Sequence, residues 1–224
     1  MTAAPGRGRF ITFEGGEGAG KSTQIRLLAD YLNACGLKVT ATREPGGTPR
    51  AERLREILLS GKIAPLGPLA EATLFAAARI DHVDQLIAPT LAQGGWVLSD
   101  RFADSTRAYQ GARGGVASRD IDLLERAATG ATTPDLTLIL DLPPETGLAR
   151  AAARRGVHEN VDRFEAEEID FHHALRKAFL DIAARDPARC CVIDATLPPQ
   201  TVAQAIRSVI DARLLNAADQ VAAQ

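Results

Sequence analysis

Gly15-Gly16-Glu17-Gly18-Ala19-Gly20-Lys21-Ser22 is the stretch that decides the fold, because it fits the phosphate-binding pattern G-x-x-x-x-G-K-[ST]. An apolar, β-rich segment precedes it at residues 10–13, and helical apolar spacing follows it over residues 22–28. The glycines let backbone N–H groups point at phosphate oxygens, and the helix N-terminus adds partial positive charge. Strand, loop and helix in this order predict a P-loop that binds a nucleoside triphosphate.

Two side chains of this loop have expected roles. Lys21 is expected to reach the β- and γ-phosphates, and Ser22 is expected to ligate magnesium through its hydroxyl. The alternative is an ordinary glycine turn that matches the pattern by chance. The flanking strand and helix argue against that alternative.

The composition favours a single α/β domain that spans all 224 residues, residues 1–224. The formal net charge of −2 lacks the basic excess typical of proteins that bind nucleic acids, so no nucleic-acid partner is expected. The start of the chain lacks a secretory signal, and no apolar run approaches transmembrane length. We therefore expect a cytoplasmic protein with no membrane partner. Residues 1–8 and about 217–224 are expected to be frayed.

The cysteines and histidines form no recognisable metal or disulfide pattern. Cys35, Cys190 and Cys191 are expected to be reduced residues in or near the core. The histidines form no H-E-x-x-H pattern and are expected at the surface; they are His82, His158, His172 and His173.

Short apolar segments alternate with helical patterns along the chain, which predicts a five-stranded parallel sheet with helices on both faces. The expected strands are residues 9–14, 38–42, 96–100, 136–141 and 191–194. The expected helices are residues 21–34, 49–60, 68–93, 118–129, 144–154, 162–185 and 199–216. Three strands end in an acid, at Glu14, Asp100 and Asp141, and ligands of open α/β sheets bind at the carboxyl ends of the strands.

Two charged pairs follow predicted strands. Asp100 is expected to hold a magnesium water, and Arg101 offers a bidentate fork to a phosphate. A plain ion pair between these two residues is the alternative. After the second strand, Arg43 and Glu44 precede Pro45 and two glycines in a loop that is expected to face the ligand, or that is an ordinary turn.

Aromatic and polar residues between these motifs suggest a pocket for a flat heterocycle. Phe75 and Arg79 are four residues apart and therefore share one helix face. A phenylalanine at helical spacing also suits the core. Tyr109 and Gln110, beside a glycine, either line the same pocket or close a loop.

A basic stretch after the fourth strand is expected to form a lid at about residues 150–163. Arg150, Arg154 and Arg155 could neutralise phosphate charge when such a segment closes. The alternative is a solvated helix end, where positive charge is favourable in any case.

Six stretches of the chain together resemble the bacterial thymidylate kinases, which belong to the P-loop nucleoside monophosphate kinases. In chain order they are F-E-G-G-E-G-A-G-K-S-T-Q, T-R-E-P-G-G-T, L-F-A-A-A-R, S-D-R-F-A-D-S-T-R-A-Y-Q-G, P-D-L-T-L-I-L-D and D-R-F-E. The likeness covers nearly the whole chain, and adenylate and guanylate kinases carry different loops at these places. The resemblance implies a three-layer P-loop fold, transfer of the γ-phosphoryl group of ATP to dTMP with Mg²⁺, and a homodimer with one active site per subunit.

The resemblance also implies roles for individual residues. Those expected to bind the ATP phosphates are Gly15, Gly16, Glu17, Gly18, Ala19, Gly20, Lys21, Ser22 and Thr23. Those expected to bind dTMP are Glu44, Pro45, Arg55, Phe75, Arg79, Arg101, Ser105, Tyr109 and Gln110. Within this set Phe75 would stack on thymine, Arg79 would bond a ring carbonyl and Arg101 would grip the phosphate. Metal binding falls to Ser22 and Asp100, and catalysis to Lys21, Arg101, Glu17, Arg154 and Arg150.

Family members differ in whether a catalytic arginine lies in the P-loop or in the lid. The loop positions here are Glu17 and Gly18, which are not basic, so the resemblance implies a lid arginine, as in the enterobacterial type. Which lid arginine serves is left open. The alternatives for function are a kinase of another nucleoside monophosphate or of a deoxynucleoside, and a P-loop switch that transfers no phosphoryl group.

Overall fold

The computed structural model of the protein describes residues 7–154 and 164–215. Within these residues one sheet contains β1 (Phe10–Glu14), β2 (Val39–Arg43), β3 (Trp96–Asp100), β4 (Leu136–Asp141) and β5 (Cys190–Asp194). Their order across the sheet is β2-β3-β1-β4-β5, and every neighbouring pair is parallel. The predicted five-stranded parallel sheet is confirmed, and each strand end lies within about one residue of the expected position.

Burial along the strands follows from their places in the sheet. β1 lies between β3 and β4 and is buried at every position, which explains its nearly continuous apolar sequence. The edge strands β2 and β5 are partly exposed. The P-loop therefore leaves from the centre of the sheet, at the carboxyl end of a fully covered strand.

Helices connect successive strands, as expected of a parallel sheet. Among the described residues they are α1 (Lys21–Ala34), α2 (Pro49–Leu59), α3 (Pro68–His82), α4 (Ala88–Ala92), α5 (Ala103–Thr106), α6 (Ser118–Thr129), α7 (Pro144–Arg154), α8 (Ile169–Arg185) and α9 (Pro199–Ile210). α2 starts as predicted: the Thr48 hydroxyl accepts a hydrogen bond from the Ala51 N–H at 3.2 Å, and Pro49 takes the first helical position.

Alternate residues of each central strand face opposite layers of helices. Ile11 and Phe13 on β1 pack with Leu28 of α1 and Ile206 of α9 on one face. Phe10 points to the other face, where it packs with residues of α4 and of the turn before it. α8 covers β4 and β5 on that second face. The sheet thus has helices on both faces, and the fold class is confirmed.

The helix predicted over residues 68–93 is interrupted. α3 ends at His82, a π-helical segment spans Val83–Ile87, and α4 begins at Ala88. Pro89 lies inside α4 and has no N–H to donate, and its ring would clash with the carbonyl one turn earlier in a regular helix. The wider π-helical turn accommodates this proline.

The helical segment after β3 was not predicted. α5 covers Ala103–Thr106, and a π-helical segment continues over Arg107–Arg113. It was missed because it is short and contains Gly111, whose local signal is that of a loop. It carries Ser105, Tyr109 and Gln110, so those residues lie on helical turns.

Several predicted boundaries change at the ends of elements. The helix predicted from residue 162 begins at Ile169, after the extended residue Glu168. The helix predicted to end at residue 216 becomes π-helical over Asp211–Leu215. The expectation of a frayed start is wrong at Gly8, which is buried and donates its N–H to the Leu91 carbonyl at 2.9 Å. Residues 1–6, 155–163 and 216–224, including most of the predicted lid with Arg155 and His158, lie outside the described residues.

Cys35, Cys190 and Cys191 are free cysteines, and Cys35 is exposed rather than in or near the core as expected. It follows the last turn of α1, where the helix meets solvent. No helix of the described residues is long and apolar enough to cross a membrane.

Candidate active site

A cleft of about 290 Å³ opens at the carboxyl ends of β1, β2 and β3. The predicted site residues that line it are Glu17, Gly18, Ala19, Gly20, Lys21, Ser22, Glu44, Pro45, Arg55, Phe75, Arg79, Asp100, Arg101, Ser105, Tyr109, Gln110 and Arg154. Gly15 and Gly16 line a smaller neighbouring cavity, while Thr23 and Arg150 are absent from both linings. Residues far apart in sequence are therefore brought to one edge of the sheet, where ligands of such folds bind.

The P-loop curls around the ammonium of its own lysine. Lys21 Nζ donates to the Gly15 carbonyl at 3.1 Å and to the Gly16 carbonyl at 2.9 Å. Burial lowers the pKa of Lys21, and the nearby Arg101 lowers it further. Gly20, which has φ 91°, is the N-cap residue of α1, and no side chain of the described residues caps this helix. Its first N–H groups therefore point into the cleft, as anion binding requires.

Two side-chain oxygens that could ligate a cation lie next to each other at the start of α1. Ser22 Oγ donates to Asp100 Oδ2 at 2.9 Å, which joins the helix after β1 to the end of β3. Magnesium prefers oxygen ligands and keeps several waters, so a hydroxyl and one carboxylate suit a site that nucleotide phosphates complete. The described residues contain no group of three or more His, Cys, Asp or Glu side chains that could hold a metal. The donor set fits Mg²⁺ bound together with a nucleotide, rather than in a cage made by the protein alone.

Arg101 occupies the middle of the cleft in a left-handed backbone conformation, with φ 70°. Its guanidinium donates to Glu17 Oε1 at 2.7 Å, to Ser105 Oγ at 3.2 Å and to the Gly15 carbonyl at 3.1 Å. It also lies over the Tyr109 ring, 5.1 Å from its centroid. These contacts fix a buried guanidinium beside the P-loop, where an anion would meet both.

Glu17 is the anionic neighbour of this guanidinium. Burial opposes its ionisation, but Arg101 and Lys21 outweigh burial and lower the pKa of Glu17 to about 2. The Tyr109 hydroxyl lies 3.2 Å from Glu17 Oε1 and stabilises the same charge. The carboxylate is therefore ionised at neutral pH and aimed into the cleft.

The far end of the cleft combines an aromatic ring with a buried arginine. Phe75 lines the cleft, and Arg79 follows one turn later on α3 with only 3% of its surface exposed. Arg79 Nε donates to Glu44 Oε2 at 2.7 Å, and Nη2 donates to Thr106 Oγ1 at 3.1 Å. The guanidinium is thus held in one orientation at the wall of a half-apolar pocket.

Other predicted residues surround this pocket. Gln110 is 2% exposed and Tyr109 is 9% exposed, so the helical turns after α5 bury both beside the cleft. Arg55 of α2 donates to the Pro45 carbonyl at 2.8 Å, which ties the helix to the loop after β2. This loop leaves β2 beside the end of β3, where the Glu44 N–H donates to the Asp100 carbonyl at 2.9 Å.

Two arginines of the predicted lid, Arg150 and Arg154, lie within the described residues, and their side chains lie in different places. Arg154, at the end of α7, is exposed and lines the cleft. Arg150, one turn earlier, donates to the Ala195 carbonyl at 3.0 Å and to the Thr196 carbonyl at 3.4 Å. It therefore braces the loop after β5 instead of reaching into the described cleft.

Comparison with known proteins decides the family. The model of the family described as thymidylate kinase matches residues 13–206. A protein named thymidylate kinase from Bradyrhizobium diazoefficiens is 59% identical over 94% of this chain and 92% of its own length. One of the same name from Nitrobacter hamburgensis is 57% identical over 93% of this chain and 90% of its own. The chain belongs to the thymidylate kinase family.

A solved structure of this family agrees with the fold. The crystal structure of thymidylate kinase from Ehrlichia chaffeensis has 35% sequence identity and a TM-score of 0.72, and it covers 92% of this chain and 99% of its own. The expected membership of the thymidylate kinases, a family of nucleoside monophosphate kinases, is confirmed.

Sequence reasoning placed Glu14 at the ligand-binding end of a strand but missed its role as a buried acid directly beneath the cleft. Glu14 ends β1 with no exposed surface and accepts from the Phe102 N–H at 2.8 Å and from the Ser105 hydroxyl at 2.6 Å. Burial and the nearby Asp104 raise the pKa of Glu14 to about 8. Through these two hydrogen bonds Glu14 fixes the segment from Phe102 to Ser105, which directly follows Arg101. Its position at the end of a buried strand was the available signal.

A second missed residue is Gly147 of α7. A Cβ on Gly147 would lie 2.3 Å from the Glu17 carbonyl, and one on Gly18 would lie 1.9 Å from the Gly147 carbonyl. The P-loop and α7 therefore touch through two glycines. A glycine in a helix interior is locally unfavourable, and that cost was the signal for a close contact.

The expectation of surface histidines is wrong for two of them. His82 is fully buried, and His172 is 4% exposed. His82 lies between Glu44 and Thr42, and His172 lies behind the P-loop. The lack of a metal-binding pattern does not indicate exposure: His82 is buried because each of its ring nitrogens has a hydrogen-bonding partner in the protein.

Proposed function

We propose that this protein transfers the γ-phosphoryl group of ATP to dTMP and forms dTDP and ADP. Relatives named thymidylate kinase that cover over nine-tenths of the chain support this activity. The observation that carries the proposal is the single cleft in which the P-loop, Arg101 and the pocket with Phe75 and Arg79 face one another. A donor site and an acceptor site that share one cleft suit direct transfer between two nucleotides.

The donor half is the P-loop from Gly15 to Thr23. Its backbone N–H groups and Lys21 would hold the ATP phosphates, and the first turn of α1 adds its partial positive charge. Ser22 and Asp100 would hold Mg²⁺, which when bound neutralises phosphate charge. Their mutual distance of 2.9 Å supports this pairing.

The acceptor half is the opposite wall of the cleft. Arg101 would bind the dTMP phosphate in place of part of its present bonding to Glu17, and Arg55 would approach the same phosphate. Phe75 would stack on thymine and Arg79 would donate to a ring carbonyl, with Glu44, Pro45, Ser105, Tyr109 and Gln110 around the nucleotide. Glu17 would face the sugar.

The proposed reaction requires no covalent bond between the protein and the transferred phosphoryl group. An oxygen of the dTMP phosphate attacks the γ-phosphorus, the bond to the β-phosphate oxygen breaks, and ADP leaves with the electron pair. The attacking oxygen is already anionic, so no strong general base is needed. Lys21, Arg101 and Arg154 supply positive charge around the transferred group, which is the main requirement of phosphoryl transfer.

We further propose a homodimer in the cytoplasm, where a kinase that uses ATP to make dTDP would act. Exposed apolar side chains lie on three neighbouring helices, namely Ile57 on α2, Leu69 and Ile80 on α3, and Leu123 on α6. Leu69 and Ile80 share one face of α3, because eleven residues bring a helix back to about the same direction. Exposed apolar side chains on neighbouring helices support self-association.

ADP release from ATP and Mg²⁺ tests the function, with dTMP, dUMP, dGMP, dCMP, AMP and thymidine as separate acceptors. We expect turnover with dTMP that is lost in Lys21→Ala, which keeps the chain folded. Turnover with a different acceptor would leave a kinase of another substrate. Nucleotide binding without any ADP release would instead indicate a P-loop switch.

A further inference from the structure

His82 lies outside the cleft lining, yet it is the most deeply buried member of a polar group behind the acceptor pocket. It has no exposed surface and ends α3, one turn after Arg79. Its Nδ1 lies 3.0 Å from Glu44 Oε1, and its Nε2 lies 2.8 Å from Thr42 Oγ1. Both ring nitrogens therefore have a hydrogen-bonding partner: Thr42 lies on β2, and Glu44 directly follows β2.

The hydrogen on the ring can be placed from these partners. Glu44 is paired with the guanidinium of Arg79 and, as a carboxylate, can only accept hydrogen bonds. Nδ1 of His82 must therefore donate to Glu44. The two carboxylate oxygens of Glu44 then receive one donor each, Arg79 Nε on Oε2 and His82 Nδ1 on Oε1. Because both oxygens are held, the carboxylate has one orientation and so has the guanidinium.

The backbone of the loop after β2 also packs on this histidine. A Cβ on Gly47 would lie 2.5 Å from both His82 Nε2 and Thr42 Oγ1. The residue before His82, Asp81, accepts a hydrogen bond from the Thr48 hydroxyl. The end of α3 thus holds the loop at its side chain Glu44, at Gly47 and at Thr48.

We propose that His82 is a positioning residue for acceptor recognition, which acts through Glu44 to present the Arg79 guanidinium to the acceptor base. The inference rests on the proposed function. A polar group buried in this way is costly to leave without its partner, because the unsatisfied oxygen of Glu44 loses both water and donor. Loss of the Nδ1 donor frees Glu44 to rotate, and Arg79 turns with it.

Two substitutions of His82 distinguish the contribution of its hydrogen bond to Glu44 from that of its hydrogen bond to Thr42. Asn places an amide nitrogen near the position of Nδ1, so His82→Asn keeps the donor to Glu44 and loses Thr42. Gln places its terminal group near Nε2, so His82→Gln keeps Thr42 and loses the donor to Glu44. The matched controls are His173→Asn and His173→Gln, since His173 is half exposed and pairs with Glu145 away from the cleft.

The measurements are kcat and the KM values for dTMP and for ATP, and the ratio of kcat/KM for dTMP over dCMP. We expect His82→Gln to raise the KM for dTMP by about ten-fold, as loss of one hydrogen bond to a buried charge implies, and to lower the dTMP preference. The KM for ATP should stay within about two-fold of the wild-type value. In His82→Asn, the KM for dTMP should stay much closer to the wild-type value than in His82→Gln. The His173 variants should match the wild type.

Equal effects on both KM values, or equal effects of Asn and Gln, would overturn the inference in favour of general packing. If His82→Gln does not fold, Glu44→Gln decides: an unchanged KM for dTMP in that variant overturns the inference, and a rise supports it. A wild-type protein inactive with dTMP would refute the proposed function itself. An active wild type with unaffected His82 variants would refute only the role of His82.

Discussion

Arg101 and Glu17 form an ion pair inside the cleft, with Nη2 and Oε1 2.7 Å apart. Both residues face the space where the nucleotides are proposed to meet, and only part of each side chain is exposed. The pair keeps a buried guanidinium neutralised until an anion arrives, since an unpaired buried charge is strongly unfavourable. A phosphate can then replace some of these contacts.

Arg101→Ala should therefore reduce turnover by about three orders of magnitude, because it removes a fork that binds transition-state charge. Arg101→Lys should be intermediate, since it keeps the charge and loses the bidentate geometry. Initial rates with saturating ATP measure both, and near-normal activity of the alanine variant would contradict the assignment.

The backbone at this position allows a separate test of stability. Arg101 has φ 70°, which a side chain disfavours and glycine tolerates. The unfolding free energy of Arg101→Gly should therefore be about 1 kcal/mol higher than that of Arg101→Ala, although both variants should lose most of their turnover. Urea unfolding measures the free energy of unfolding of both variants. A glycine variant less stable than the alanine variant would argue against backbone strain at position 101.

Phe75→Ala should raise the KM for dTMP more than the KM for ATP, because the ring lines the acceptor end of the cleft. Phe10→Leu is the packing control, since Phe10 is fully buried in the sheet. It should lower the unfolding free energy and leave both KM values alone. An equal rise in both KM values for Phe75→Ala would mean that this ring only packs.

Asp100→Asn should increase the Mg²⁺ concentration needed for half-maximal activity, because an amide binds the cation more weakly than a carboxylate does. Titration of activity with Mg²⁺ at fixed ATP measures the shift. Asp135→Asn is a matched control: Asp135 holds the Phe10 N–H at the opposite edge of the sheet. An identical Mg²⁺ requirement in Asp100→Asn and wild type would remove Asp100 from the metal site.

Gly147→Ala should reduce turnover and weaken ATP binding, because its Cβ would lie 2.3 Å from the Glu17 carbonyl. Either α7 or the P-loop must move, and a small displacement of the loop misplaces the phosphates. Ala152→Ser adds one atom to the exposed face of the same helix and should have no effect. ATP affinity by calorimetry distinguishes the two, and wild-type affinity in Gly147→Ala would contradict the contact.

The buried acid Glu14 should make the unfolding free energy fall as pH rises. Its pKa is about 8 in the folded protein against a reference value of 4.5, so the folded state keeps the proton over that interval and the unfolded state does not. The unfolding free energy then decreases between these pH values, by up to about 1.4 kcal/mol per pH unit. Urea titrations at a series of pH values measure the slope.

Glu14→Gln should flatten this slope, because the amide cannot lose a proton. Glu56→Gln, at an exposed position of α2, should leave the slope unchanged. A wild-type slope in Glu14→Gln would show that another group causes the pH dependence.

The position of the helix after β3 illustrates what local sequence leaves open. Residues 103–113 have no long apolar period, and their helical form depends on Glu14, which accepts the Phe102 N–H, and on burial of Ala108 and Tyr109 against α8. Such support comes from residues tens of positions away. Sequence periodicity cannot report it, so no helix was predicted over these residues.

The sequence by itself determined the P-loop, the alternation of strands and helices and the thymidylate kinase family, because phosphate binding and burial of a parallel sheet each require a local pattern of residues. Tertiary structure alone decided that Arg154 lines the cleft while Arg150 holds the loop after β5, that Gly147 touches the P-loop, and that His82 is buried behind Glu44. Each of these depends on which distant side chains meet. The environment of a charged or polar group is set by its neighbours in space, and these emerge only when the sheet and its helices pack together.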